Sequence, residues 1–293
     1  MAAAWPSAAP ATEYELDGMR VLTPHAFTGR MCAASRALES ARKDSLFVDR
    51  LGYKLAGSEG RNQPMGDWIM VPRTRYGDDF LHNYYHGRQG VRQLVLLGAG
   101  MDARAWRLDL PELVVFEVDQ KTNFDVKERF VAGERLTVRA RNVVAADFSK
   151  DRANESSWAD QLVSSAGFDK AVPTVWLLEG LLMYLNMEDT RDLMRKIGEL
   201  SAPGSAVFHD AVSESYGRSQ IVVGGAPFIG ASDTYGELWR DQAGFGRSYV
   251  RDFQSLRIDR RNRQLEFHPS MPQATADKCR GRNLVLFVEA EKV

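Results

Sequence analysis

The chain is poor in cysteine, in unbalanced charge and in long apolar runs, and each shortage removes a class of protein. Only two of its 293 residues are cysteine, Cys32 and Cys279. They stand far apart and make no metal-ligand spacing. Reduced structural thiols in a reducing, cytoplasmic compartment are expected, rather than a disulfide scaffold or a metal centre. A net charge of -1, from 38 Lys and Arg against 39 Asp and Glu, gives no pull toward nucleic acid or an acidic membrane. Arginines 257, 260, 261 and 263 cluster locally, but no aromatic platform is interleaved with them, so a solvated loop is expected. The longest strongly apolar stretch, Val175 to Leu185, is too short to cross a bilayer and carries Glu179 near its centre. Residues 1 to 12, MAAAWPSAAPAT, hold no charged side chain. Without the basic start of a secretory signal or the arginines of a transit peptide, they are expected to be a disordered tail.

What is present is organised around Arg92 to Gln120, RQLVLLGAGMDARAWRLDLPELVVFEVDQ. Leu94 to Leu97 reads as a strand buried on both faces. It stops at Gly98-Ala99-Gly100, where a tight turn and close backbone approach to a ligand become possible and a short helix can aim its N-terminus at the same spot. A second apolar run, Val114 to Val118, ends at Asp119, about where a ribose-binding acid sits in a nucleotide-binding βαβ unit. The alternation then continues. Helices are expected over 121–131, 153–165 and 187–200, and strands over 137–145, 172–178 and 205–208, with further strands near 264–268 and 284–289. The fold class is α/β, a doubly wound and mostly parallel sheet in a single domain over 13–293. Residues 13–90 form a helical extension, with helices over 26–43, 46–55 and 76–85. Arg73 and Arg75 then fall just before the last of these, where the helix dipole disfavours cations and an anion could compensate. Residues 91–210 are the cofactor-binding core and 264–293 the C-terminal strands. Between them 211–263, with glycines scattered among aromatics over 213–248, suggest a flexible lid that shapes an acceptor site.

In an open parallel sheet the ligand sits beyond the carboxyl ends of the strands. The expected ends carry Gly98 and Gly100, then Asp119, Asp147, Glu179, and His209 with Asp210. Asp119 can accept both hydroxyls of a ribose, and an amino-acid end would need a cation and an acceptor, which Arg73 and Glu179 supply. A nicotinamide dehydrogenase would use the same loop for a pyrophosphate. However, only ten residues separate Gly100 from Pro111, and Asp102 would repel that charge. An acid-lined cleft suits a sulfonium better. A non-catalytic adenosyl-ligand-binding protein remains a third reading.

The segments ALESARKDSLFVDRLGYKLAG (37 to 57), RTRYGDDFL (73 to 81), LVLLGAGMDARAWRL (94 to 108), FEVDQ (116 to 120), AADF (145 to 148) and LLEGLLMYL (177 to 185) together resemble class I S-adenosylmethionine-dependent methyltransferases of the leucine carboxyl methyltransferase type. The resemblance spans roughly residues 26 to 210 and implies a Rossmann-like methyltransferase fold. It implies S-adenosyl-L-methionine as cofactor, held by Arg73 at the methionine carboxylate, Gly98 at the loop, Asp119 at the ribose, Asp147 and Phe148 around the adenine and Glu179 near the methionine end, with Arg30 as a further basic contact. Ala103, at the third glycine position, departs from the pattern. The expected reaction is O-methylation of a small-molecule or carboxylate acceptor, a protein C-terminus included. A hydroxyl acceptor would need a base, for which His209 is the candidate, with Tyr184 as a positioning donor.

Overall fold

The computed structural model describes residues 14–16, 20–87, 90–151, 156–252, 256–258, 265–267, 281–282 and 284–293. A short hairpin, β1 (Tyr14–Leu16) and β2 (Arg20–Leu22), precedes three helices, α1 (Pro24–Ser40), α2 (Gly52–Asn62) and α3 (Asp67–His86). The alternating part follows: β3 (Gln93–Leu97), α4 (Arg104–Arg107), β4 (Leu110–Asp119), α5 (Lys121–Val131), β5 (Val138–Ala145), α6 (Trp158–Ser164), β6 (Thr174–Leu178), α7 (Met187–Leu200) and β7 (Ala206–Val212). Then come α8 (Glu214–Gly217), a hairpin of β8 (Val222–Val223) and β9 (Ala226–Pro227), α9 (Tyr235–Ala243) and β10 (Arg247–Asp252). A further hairpin, β11 (Leu256–Ile258) with β12 (Leu265–Phe267), pairs with itself, and β13 (Val285–Glu291) closes the chain order.

Seven strands share one sheet in the order β10-β13-β7-β6-β3-β4-β5. β3 to β7 run parallel and β13 is antiparallel to both its neighbours. Period-two alternation sends Val95, Leu97, Phe116, Val118, Trp176 and Leu178 into one apolar cluster. Leu94, Leu96, Val115, Val175 and Leu177 go into the other, so the central strands are buried on both faces. Strand order reverses at β3, between β4 and β6, and the crevice opens there at the carboxyl ends.

Local signals account for several boundaries. Thr23 caps α1, its hydroxyl accepting from Ala26 N at 3.3 Å ahead of Pro24. Ser157 and Asp160 cap α6 reciprocally, and Asn186 caps α7.

Three expectations are corrected. α3 begins at Asp67 rather than Tyr76 and carries Pro72 in its second turn, so Arg73 and Arg75 lie inside a helix and not at its start. β7 runs on to Val212, which puts His209 within the strand rather than at its end. The segment 213–248 is not wholly a cover: Tyr235, Trp239, Ala243 and Phe245 belong to the core, and β10 joins the main sheet. Of the arginine cluster, Arg257 sits on β11, while 260, 261 and 263 lie outside the described residues, as do Cys279 and the first twelve residues.

α7 and α9 meet at Gly198, where an added Cβ would come within 2.4 Å of the Ala243 carbonyl oxygen and 2.6 Å of its Cα. Gly198→Ala is therefore expected to destabilise the protein by about 1–3 kcal/mol, more than the ~1 kcal/mol that helix propensity returns. Urea unfolding at constant m-value measures it, and a stability equal to or above wild type would mean the two helices can separate without loss.

Candidate functional site

The loop after β3 is shaped by glycine where nothing else fits. Gly98 has φ of 71° and Gly100 of 46°, in the left-handed region that side chains avoid. A Cβ on Gly98 would press on Leu181 at 3.2 Å. The turn brings Gly100 N–H to the Asp119 carboxylate at 2.5 Å, so the loop and the end of β4 are joined directly. Asp119 also accepts from Gln120 N at 2.6 Å and from the Asn123 amide at 2.8 Å. Burial pushes its carboxyl upward in spite of these three bonds.

A buried charge network forms the next part of the wall. Arg104, at the start of α4, donates to Asp78 of α3 at 2.8 Å, to Asp102 at 2.6 Å and twice to Glu179 at 2.9 Å. Arg107 forks onto Asp78 at 2.6 Å through both terminal nitrogens. Burial raises the Glu179 carboxyl above its usual range even against Arg104. α3 can approach because Gly77 faces the network: a Cβ there would lie 2.4 Å from Glu179 Oε1. One turn earlier Arg73 reaches Asp210 of β7 at 2.7 Å, and the same carboxylate accepts from Gly180 N at 2.6 Å. Burial works against the Arg73 charge, but Asp210 beside it raises the guanidinium further above its ordinary value.

These groups surround one cavity of about 460 Å³, which Arg73, Gly98, Gly100, Asp119, Asp147, Phe148, Glu179 and Tyr184 all line. Asp147 accepts from Ser149 at 2.7 Å and pairs with Lys150 at 3.0 Å, and Phe148 packs edge-on to Trp158. Tyr184 stands in a 3-10 turn, edge-on to His25 at 5.2 Å and to Phe228 at 5.3 Å between ring centroids. Burial pushes its phenol well above the ordinary value. Among the described residues no group of three His, Cys, Asp or Glu is placed to hold a metal ion.

His209 is not brought to the cavity, and its reading as a general base is corrected. It is 0% exposed and accepts from the Trp239 indole N–H at 2.9 Å through Nε2. Its Nδ1 lies 3.3 Å from the Asp210 carbonyl, so the proton sits there. Neighbours on a strand face opposite ways: Asp210 meets the cavity and His209 the core. Arg30 also stays outside the lining, bound to Glu59 at 2.8 Å, whereas Arg36 lines the cavity. Arg75 pairs with Asp79 at 2.9 Å, away from the cavity. Sequence reasoning passed over Arg104, Asn123, Gly77 and His25. Asn123, one helical turn beyond Asp119, was the most accessible of these from spacing alone.

Residues 30–198 match the protein family described as leucine carboxyl methyltransferase. A Frankia alni protein is 38% identical over 191 residues, spanning 59% of this chain and 64% of that protein. A Streptomyces avermitilis protein is 35% identical over 248 residues, spanning 77% and 83%. Both carry the provisional name of S-adenosyl-L-methionine-dependent methyltransferase. The match to the Frankia protein thus covers slightly less than two thirds of its length. The fold is similar to the crystal structure of a DUF574 family protein from Streptomyces avermitilis, with TM-score 0.53 and 16% identity, over 89% of this chain and 97% of that one. It is similar also to a crystal structure from Thermobifida fusca YX, provisionally named a methyltransferase, with TM-score 0.53 and 14% identity over 89% and 94%.

The His209 environment has a measurable consequence. Burial depresses its pKa from 6.5 to about 4, so below 6.5 the unfolded chain binds a proton that the folded chain refuses. The stability is complete above that pH and is lost as pH falls through the window, by about 2 kcal/mol between pH 7 and pH 5. His209→Gln, which can still accept from Trp239 but cannot titrate, should shrink the acid loss by that amount in chemical unfolding at the two pH values. An undiminished loss would mean that His209 does not carry it.

Proposed function

The chain belongs to the leucine carboxyl methyltransferase family, and from that premise we propose that it is an S-adenosylmethionine-dependent methyltransferase acting on an oxygen of a hydroxyl or carboxyl acceptor. The observation that carries the reading is the state of Arg73. Among the described residues its Nε is buried without a hydrogen-bond partner, and Nη2 meets only the sulfurs of Cys32 at 3.7 Å and Met70 at 3.1 Å. A buried guanidinium with unused donors is costly unless an anion comes to it, and a methionine carboxylate fits that need. Glu179 nearby is an acceptor for the ammonium group. Asp119 Oδ2, which accepts from Gly100 N alone, keeps a lone pair for a ribose hydroxyl, and Asp147 with Phe148 offers an acceptor and a ring face to an adenine.

When bound, the donor supplies an electrophilic methyl group on a sulfonium. The chain's own work is to bind, orient and exclude water, which is where most acceleration of an in-line displacement originates. Tyr184, kept protonated by burial, acts as a donor that orients the acceptor oxygen. A carboxylate acceptor requires no base, and a hydroxyl does.

Asp102 disfavours a nicotinamide dehydrogenase. Burial opposes its charge, but Arg104 and Arg36 hold its carboxyl well below the usual range. The helix that follows, α4, has four residues, too short to present a dipole to a pyrophosphate.

S-Adenosylhomocysteine is expected to bind in calorimetry, and Asp119→Asn to weaken it about tenfold or more, as loss of a charged hydrogen-bond acceptor worth ~1.5–3 kcal/mol requires. NAD should give no heat. Methyl-labelled donor incubated with cell extract should label an acceptor only in the presence of active protein. Heat from NAD alone would make the protein a dehydrogenase, and binding without transfer would make it an adenosyl-ligand sensor.

A further inference from the structure

Beyond the donor-binding groups, the cavity wall changes character. Met65, Trp68, Ile69, Ile221, Val223 and Phe228 line it, drawn from the start of α3 and from the β8-β9 hairpin with its flanks. Trp68 is 56% exposed although it lines the cavity. A large aromatic side chain left open to water beside an apolar stretch of cavity wall marks a place where an apolar ligand enters.

The charges on the wall point the same way. Five carboxylates (Asp102, Asp119, Asp147, Glu179, Asp210) line the cavity against four Lys or Arg side chains. Each of those cations has a partner already. Arg36 is bound by Asp49 at 2.8 Å, Arg104 by Asp78, Asp102 and Glu179, and Lys150 by Asp147 at 3.0 Å. Arg73 is bound by Asp210 at 2.7 Å, and its remaining nitrogens are those assigned above to the donor's carboxylate. The donor's sulfonium offsets one excess acid and leaves nothing over for a second anion. A carboxylate entering here would be desolvated without a partner, which is the expensive way to bury a charge.

We propose that the acceptor is an uncharged small molecule with an apolar, ring-sized body, methylated at a hydroxyl, and that it enters between Trp68 and the β8-β9 hairpin. The proposal rests on the methyl-donor reading above. In the transfer the hydroxyl oxygen's lone pair forms the new O–CH3 bond as the S–CH3 bond breaks. The bonding pair stays on sulfur, which becomes a neutral thioether. The hydroxyl proton goes to the neutral imidazole of His25, which lines the same half of the cavity against Tyr184 and is open to solvent.

The test uses 1-naphthol and 1-naphthoate, which share an apolar body and differ in charge, titrated into the full chain with and without saturating S-adenosylhomocysteine. Binding is followed by calorimetry or saturation-transfer NMR. With S-adenosylhomocysteine bound, naphthol should bind at least tenfold more tightly than naphthoate. Trp68→Ala, at an exposed position, should weaken naphthol at least fivefold and leave S-adenosylhomocysteine affinity within twofold. Equal or tighter binding of naphthoate, or of a peptide ending in a free leucine carboxylate, would overturn the proposal, as would naphthol binding indifferent to Trp68→Ala. Failure of S-adenosylhomocysteine itself to bind would remove the donor reading and this proposal with it, whereas its binding beside a preferred naphthoate would remove the acceptor class alone.

Discussion

The guanidinium of Arg104 is the constraint on which the site depends. It is 1% exposed and touches three structural units at once: Asp78 and the Thr74 carbonyl on α3, Asp102 in the glycine loop and Glu179 at the end of β6. Buried charges of this kind add little net stability over an apolar filling, but removing one member leaves the others uncompensated. The consequence here is geometric. Three carboxylates that would repel one another are held around one cation, and the helical extension is thereby registered against the strand ends. Gly77 is part of the same arrangement, since any side chain there would strike both Glu179 and Arg104. The extension is therefore one wall of the site, and its Arg73 is aimed by the same helix that carries Asp78.

The sheet was legible because its signal is local. Buried parallel strands must be apolar on both faces, so β3, β4 and β6 announce themselves as unbroken runs, and the residues that end them, Gly98, Asp119 and Glu179, follow without further knowledge. The same rule failed at β7, since a reader stops at the first polar residue and this strand continues through His209 and Asp210. Nothing in the local pattern says that Trp239, 30 residues later, supplies the partner that lets a histidine be buried. α3 was cut short for a related reason. Pro72 reads as a breaker, yet the helix is buried on more than one side, by Met70 and Val71 before the proline and Tyr76, Phe80 and Leu81 after it, and that burial outweighs the lost backbone bond.

Glycine misled in one direction only. In 213–248 its abundance suggested mobility, but several of these residues serve close packing. A Cβ on Gly230 would lie 2.1 Å from the Leu185 carbonyl oxygen, and one on Gly217 would lie 2.5 Å from the Ala231 Cβ. Glycine chosen for φ and glycine chosen for space look identical in a sequence, and only the neighbours across the fold distinguish them. The part of the segment that reaches the cavity is smaller and more specific than the composition suggested. Tyr216, Ile221, Val223 and Phe228 face the cavity, while α9 and β10 belong to the core behind it.

β7 then explains why site and core are not independent. Its pleat sends Asp210 to the cavity, where one carboxylate holds both Arg73 and Gly180 N. It sends the adjacent His209 into the packing of α9, where one ring holds Trp239. A shift of this strand by one residue would exchange the two, placing a carboxylate in an apolar layer and withdrawing the counter-charge from a buried guanidinium. Both outcomes are costly, so the register of β7 is specified twice, once by the core and once by the site. β13 pairs with β7 residue by residue from Ala206 to Val212 and secures that register from the outer side. The single antiparallel strand of the sheet thus bears on how Arg73 is presented, although none of its charged residues is among those that line the cavity.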